Sequence, residues 1–121
     1  MPAPSPLTIA TQSVQRLVKE EKYYRKELAQ QSERVKKLET ELNNGGAGAD
    51  GNAEFVLKQE RKAMQETQAV FVPLNERIGD AVQRLEEQIA AAESEDGSAD
   101  EISKAKEALG MGKAVEEPPV A

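Results

Sequence analysis

Two seven-residue hydrophobic repeats, separated by a glycine-rich break, constrain what this chain can fold into more than any other feature. Stepping alternately by three and four from Val14 reaches Leu17, Glu21, Tyr24, Leu28, Gln31, Val35, Leu38 and Leu42, and seven of these nine positions are apolar. That spacing puts them on one face of an α-helix, with Val18 beside the seam. The stretch predicts one long amphipathic helix from about Thr11 to Asn43, with Thr8 or Thr11 as its cap and Pro2, Pro4 and Pro6 keeping the preceding tail out of it. Glu21 with Arg25 and Glu33 with Lys37 form i,i+4 pairs in the favourable order.

NNGGAGADGN, residues 43–52, carries four glycines and nothing apolar to anchor a strand, so it reads as a loop. A second seven-residue repeat follows through Leu57, Met64, Phe71, Ile78 and Leu85, supported by Thr67, Leu74, Ala81, Val82 and Ile89, with Asp50 or Asn52 as its cap. Pro73 falls inside it. An interior proline removes one backbone donor, crowds the carbonyl four residues earlier and costs about 3 kcal/mol. The register nevertheless carries from Phe71 to Ile78, which predicts a single helix kinked at Pro73, with the proline on the side away from the seam. ESEDG, residues 93–97, marks a second break. Ser98 and Glu101 then read as a capping box, Ile102, Ala105 and Leu109 as a short apolar stripe, and Gly110 as the stop.

The expected fold class is therefore all-α: a three-helix bundle of two long antiparallel helices, the second kinked, plus a short third helix that must dock to be stable. The expected organisation is a flexible proline-rich tail over residues 1–10, one domain over 11–110 and a disordered tail over 111–121. Three helices in one chain can bury their own stripes, so a monomer is expected; the same seam would also serve a weak homodimer.

Composition closes off several function classes. There is no cysteine, histidine or tryptophan in the 121 residues, which removes disulfides, thiolate nucleophiles, structural zinc and histidine bases. A formal charge of −6 argues against attraction to nucleic-acid phosphates. Apolar runs such as Ala69–Val72 are far too short for a membrane span, and MPAPSPLTIAT lacks the basic head of a signal peptide, so a cytoplasmic protein is expected. Residues 46–51 satisfy G-x-G-x-x-G literally, but the glycines of a dinucleotide site follow a strand, and a charged helix precedes these. Asp96, Ser98, Asp100 and Glu107 fall at calcium-loop positions, yet Glu101 occupies the place that needs glycine. Asp50, Asn52 and Glu54 start a similar pattern that meets Arg61 where a glutamate belongs. Both read as helix-capping loops. Carboxylates abound, but a thin helical layer offers no dry pocket to set two of them apart. No catalytic residue, metal or cofactor is expected.

One charge asymmetry remains. Residues 10–43 hold eight Lys/Arg against six Asp/Glu, while the rest of the chain holds eight against sixteen. Arg16, Lys19, Lys22, Tyr23 and Lys26 all lie away from the seam. They form either a solvated helix face or a contact surface for an acidic partner, for which arginine and an exposed tyrosine are favourable anchors.

Arg16-Leu17-Val18-Lys19-Glu20, Tyr24, Lys26-Glu27 and Gln30-Gln31 resemble the first helix of the tubulin-binding cofactor A family. Lys58-Gln59, Gln65-Glu66-Thr67, Val72-Pro73 and Arg77 resemble its second, including a proline within a heptad-patterned helix. The resemblance covers residues 9–93 well and the third helix by pattern, and it rests on order and spacing rather than on one motif. It implies a small three-helix protein that captures β-tubulin released from the cytosolic chaperonin, in the cytoplasm and about the cytoskeleton, without catalysis or nucleotide. The basic stripe and the outer face at Val72 and Pro73 become candidate partner-binding residues. The glycine loop, the ESEDGS loop and the extra C-terminal residues depart from the family pattern. The alternative is a coiled-coil structural adaptor or prefoldin-like hairpin subunit; prefoldin-type chains place β-hairpins between their helices, which NNGGAGADGN cannot form.

If the seam assignment is right, Leu17→Ala or Ile78→Ala should cost roughly 2–4 kcal/mol through lost transfer energy plus a cavity. Gln30→Ala should stay within about 0.5 kcal/mol. Thermal or urea unfolding of the three variants checks this, and equal shifts would reject the seam.

Overall fold

A computed structural model describes residues 3–45 and 51–119. It contains three helices and no strand among the described residues: α1 (Pro6–Asn43), α2 (Asn52–Ser94) and α3 (Ala99–Lys113). The all-α expectation holds. The chain divides into two compact units, one of residues 1–21 and 72–118, the other of 22–71 and 119–121.

The first unit joins the start of α1, the second half of α2 and all of α3. Its core is Leu7, Ala10, Val14, Val18, Leu85, Ile89, Ala105 and Ala108, with Val82, Ala92, Ile102, Leu109 and Val115 packed against them. Val14 and Val82 both approach Gly112, whereas Ser5–Leu7 lies beside Gln88, Ala91 and Ala92. Lower numbers on α1 thus meet higher numbers on α2, so the two segments run antiparallel. In the second unit α1 contributes buried Gln31 and Val35, and α2 contributes buried Leu57, Thr67 and Phe71. The guanidinium of Arg25 lies 5.6 Å from the Phe71 ring centre, a cation–π distance. Exposed pairs Arg34–Glu60 and Arg61–Glu39, at 3.4 and 3.7 Å, flank this unit and contribute well under 1 kcal/mol each.

The expected seams are buried in part, with Tyr24, Leu28, Leu38, Leu42 and Met64 only half-buried. Val14, Leu17, Val35, Leu57, Phe71, Leu74, Ile78, Leu85 and Ile89 are all in the core, and so are the polar seam positions Glu21 and Gln31. α2 passes Pro73 without a break, and Pro73 faces out as expected.

Three helix boundaries differ from expectation. α1 begins at Pro6 rather than at Thr11, because Ser5 is its cap: the Thr8 amide donates to Ser5 Oγ at 3.1 Å, and the Ile9 amide to the Ser5 carbonyl at 3.0 Å. Proline suits the first helical position, where no intrahelical partner exists for an N–H. Thr11 therefore lies inside the helix with its hydroxyl bonded to the Leu7 carbonyl at 2.8 Å. Leu7 and Ala10, expected in a flexible tail, are buried. At the loop, Asp50 lies outside the described residues. α2 opens at Asn52 after Gly51, whose φ of 76° puts it in the left-handed region where glycine carries no steric cost. α3, finally, runs past Gly110 to Lys113, where Ala114 donates to the Gly110 carbonyl at 3.1 Å.

The third helix docks as required. Ser98 caps it by accepting from the Glu101 amide at 3.4 Å. The Glu101 carboxylate reaches α1 instead of completing the box: the Ser5 and Thr8 hydroxyls donate to its two oxygens at 3.3 and 3.4 Å. α1 has no acidic residue in its own first turn, and Glu101 supplies a carboxylate to that positive helix end. Lys106–Glu93 and Lys113–Glu86 tie α3 to α2 at 3.2 and 3.3 Å.

Glycine substitutions should separate close packing from helix propensity. A Cβ on Gly112 would lie 2.6 Å from Val82 Cγ2 and 3.0 Å from Val14 Cγ1, and β-branched neighbours have little rotamer freedom to yield. Gly112→Ala should therefore destabilise by about 1–2 kcal/mol despite its better propensity. Gly79→Ala, with nothing within 4 Å of its Cβ position, should stabilise by up to about 1 kcal/mol. Opposite shifts in melting temperature are the expected result.

Candidate protein-interaction surface

Side chains left outside the buried seams determine what the fold can present to a partner. Every sequence-predicted contact residue is exposed. In the first unit Arg16 and Lys19 stand one helical turn apart on α1, and Val72 and Pro73 lie on α2, with Val72 retaining 56% of its surface. In the second unit Lys22, Tyr23 and Lys26 share one α1 face. Tyr23 keeps 62% of its surface and meets Tyr24 edge to face, with ring centres 5.4 Å apart. The neighbouring Glu27 carboxylate, by its charge and by a hydrogen bond to the phenol, raises the Tyr23 pKa above its ordinary value. Tyr23 thus stays a neutral phenol throughout the physiological range, so the face presents a neutral aromatic between cations.

Sequence reasoning missed three exposed apolar side chains, Ile9, Phe55 and Met111. Ile9 was legible: it lies seven residues before Arg16, so the heptad extended backwards puts it on the outward face once the helix is known to start at Pro6. It also missed that the Asn75 side chain donates to the Glu116 carbonyl at 3.2 Å, for which the sequence carries no signal.

The motif-like stretches resolve into structural roles where they are described. Asp96 adopts a φ of 55° in the turn between α2 and α3, and Ser98 caps α3. Residues 46–50 of the G-x-G-x-x-G match lie outside the described residues. Among the described residues no group of three or more acidic side chains is arranged to hold a metal ion, and no helix is long and apolar enough to cross a membrane. The surface depressions that border the helices are open grooves, such as that beside Gln30, Glu33, Arg34 and Lys37.

The model of one protein family, tubulin binding cofactor A, matches residues 2–109. The chain belongs to the tubulin binding cofactor A family. Membership places it among tubulin-binding cofactors, a non-catalytic, chaperone-type family. The match takes in all three helices up to Leu109, and residues 110–121 lie beyond it. Comparisons with curated proteins and with solved structures found no match.

Glu27→Gln, made in a Tyr24→Phe background so that one tyrosine titrates, should lower the Tyr23 midpoint towards the ordinary value of 10.0. The carboxylate disfavours the phenolate, so its removal must move the titration down. Tyrosinate absorbance against pH reads the shift, and circular dichroism should be unchanged.

Proposed function

We propose that the chain captures and holds β-tubulin after its release from the cytosolic chaperonin, as a monomer in the cytoplasm, by surface complementarity and without nucleotide or catalysis. The observation that carries this reading is the family match over residues 2–109. The exposure of every basic residue of the α1 stripe supports a surface for an acidic client.

The mechanism follows from charge and exposure. Arg16, Lys19, Lys22 and Lys26 steer an acidic client to α1 and raise the association rate. Tyr23 and the exposed apolar surface at Val72 and Pro73 set the lifetime of the complex through desolvated contact. These residues are cheap for the fold to present, since exposed charges contribute well under 1 kcal/mol each.

Reversing Lys19, Lys22 and Lys26 to glutamate should slow β-tubulin association by about ten-fold at low salt. The helical circular dichroism signal should be retained. The defect should shrink as salt rises, because screening removes repulsion along with attraction. The measurement is the association rate of wild type and triple variant at two ionic strengths. Equal rates at both would remove the stripe from the binding surface, and recovery of no β-tubulin from cytosolic extract would reject the capture role itself.

A further inference from the structure

The chain has four asparagines, and their settings differ. Asn43 is the last residue of α1, Asn52 opens α2, and Asn75 lies inside α2 with its Nδ2 donating to the Glu116 carbonyl at 3.2 Å. Asn44 stands just past α1 in an exposed turn, and Gly45 follows it. The Gly45 φ of 74° lies in the left-handed region, and nothing comes within 4 Å of where its Cβ would be. The Asn44 amide donates to the Thr40 carbonyl at 3.0 Å, and the Gly45 amide to the Leu42 carbonyl at 3.0 Å. These are the last bonds of a helix end, where opening costs least.

An asparagine side-chain amide is thermally labile where the next residue's backbone nitrogen can reach its Cγ. Glycine is the successor that permits this best, since it has no side chain to shield its nitrogen or restrict the approach. The reacting atoms belong to adjacent residues, so their effective concentration is high. The other asparagines lack this setting. Asn43 is followed by Asn44, Asn52 by Ala53 and Asn75 by Glu76, and helical backbone at Asn75 holds the next nitrogen in place. Asp96 does precede a glycine, but the Gly97 amide is held by the Ala92 carbonyl at 2.7 Å, and a Cβ there would meet that oxygen at 3.0 Å. A carboxylate is also a poorer electrophile than an amide.

We infer that Asn44 is a self-modifying site, its side-chain amide converted to an acid through a cyclic imide closed by the Gly45 backbone nitrogen. Hydroxide removes the Gly45 amide proton, and the nitrogen attacks Asn44 Cγ. The Cγ–Nδ2 bond then breaks, and Nδ2, protonated by water, leaves as ammonia. One water opens the ring. Cleavage at Cγ leaves aspartate, and cleavage at the main-chain carbonyl leaves isoaspartate, whose backbone runs through Cβ and Cγ. Nothing is oxidised or reduced, and water is the only co-reactant. Either product places a carboxylate at the C-terminal end of α1, where the helix dipole disfavours it and no basic residue in the last turn offsets it. The longer isoaspartyl backbone also draws the Gly45 N–H away from the Leu42 carbonyl. The last turn of α1 therefore loosens as the protein ages.

The experiment incubates the purified full chain at neutral and mildly alkaline pH, with the urea-unfolded chain in parallel. Mass spectrometry of the tryptic peptide of residues 38–58 separates Asn43, Asn44 and Asn52 by their fragments. Enzymatic methyl transfer to isoaspartyl carboxylates measures that product. Acid should accumulate at Asn44 roughly ten-fold faster than at the other three positions, and faster still as pH rises, because the attacking nitrogen must lose its proton. Asn44→Gln, which must close a larger ring, should remove the signal. Amide exchange over residues 40–45 should quicken about two- to five-fold in the converted chain and stay unchanged in incubated Asn44→Gln. Conversion of Asn44 in urea but not in the folded chain would overturn the inference, since the α1 end would then protect it. Equal conversion at another asparagine, or none in either chain, would overturn it too. Unchanged exchange in the converted chain would overturn the loosening. No step uses tubulin, so the outcome is independent of the capture reading.

Discussion

Val14 is the residue on which the three-helix end of the molecule depends. It is wholly buried in the cluster that joins α1 to Leu85 and Ile89 of α2 and to Ala105 and Ala108 of α3. It also faces Gly112, where even one added carbon would meet it at 3.0 Å. Small residues on α3 are what let that helix come so near, since alanine and glycine place no bulk between the backbones. A helix of fifteen residues is marginal in water by itself. Its persistence follows from this packing, from the Glu101 carboxylate at the α1 terminus and from its ion pairs to α2.

Polar residues inside the seams show how the long helices tolerate imperfection. Thr11 and Thr67 are buried, and each returns its hydroxyl to the carbonyl four residues earlier, at 2.8 and 3.1 Å. Such bonds satisfy the hydroxyl without a partner helix. Gln31 is different: its Oε1 is buried with no hydrogen-bond partner, a desolvation cost of about 1–3 kcal/mol. The aliphatic seam, with Phe71 beneath the Arg25 guanidinium, offsets it. A second such atom, Asn75 Oδ1, lies outside the seam, while the exposed faces remain free to vary in charge.

That freedom is where function enters. Membership of the tubulin binding cofactor A family directs attention to the outer helical faces. The α1 cations contribute little to folding, so their placement reflects solubility or a partner rather than stability.

How much was legible in the sequence follows from which forces are local. The heptads at Val14–Leu42 and Leu57–Leu85 determined both long helices and most of their buried residues, because helical periodicity converts spacing directly into a face. The register through Pro73 was legible for the same reason, and so was the exposure of Arg16, Lys19, Lys22, Tyr23 and Lys26. Boundaries were less legible. Pro6 is compatible with ending a tail or starting a helix, and the Ser5 cap together with the burial of Leu7 and Ala10 favours the latter. Gly110 could have stopped α3, but Gly112 continues it because the close approach to Val14 and Val82 rewards a residue without a side chain. The seat of Val115 and the Asn75–Glu116 hydrogen bond join residues forty-one positions apart. No local pattern encodes such a pair: a hydrogen bond to a main-chain carbonyl places no demand on the side chain at Glu116, and only the folded backbone brings the two together.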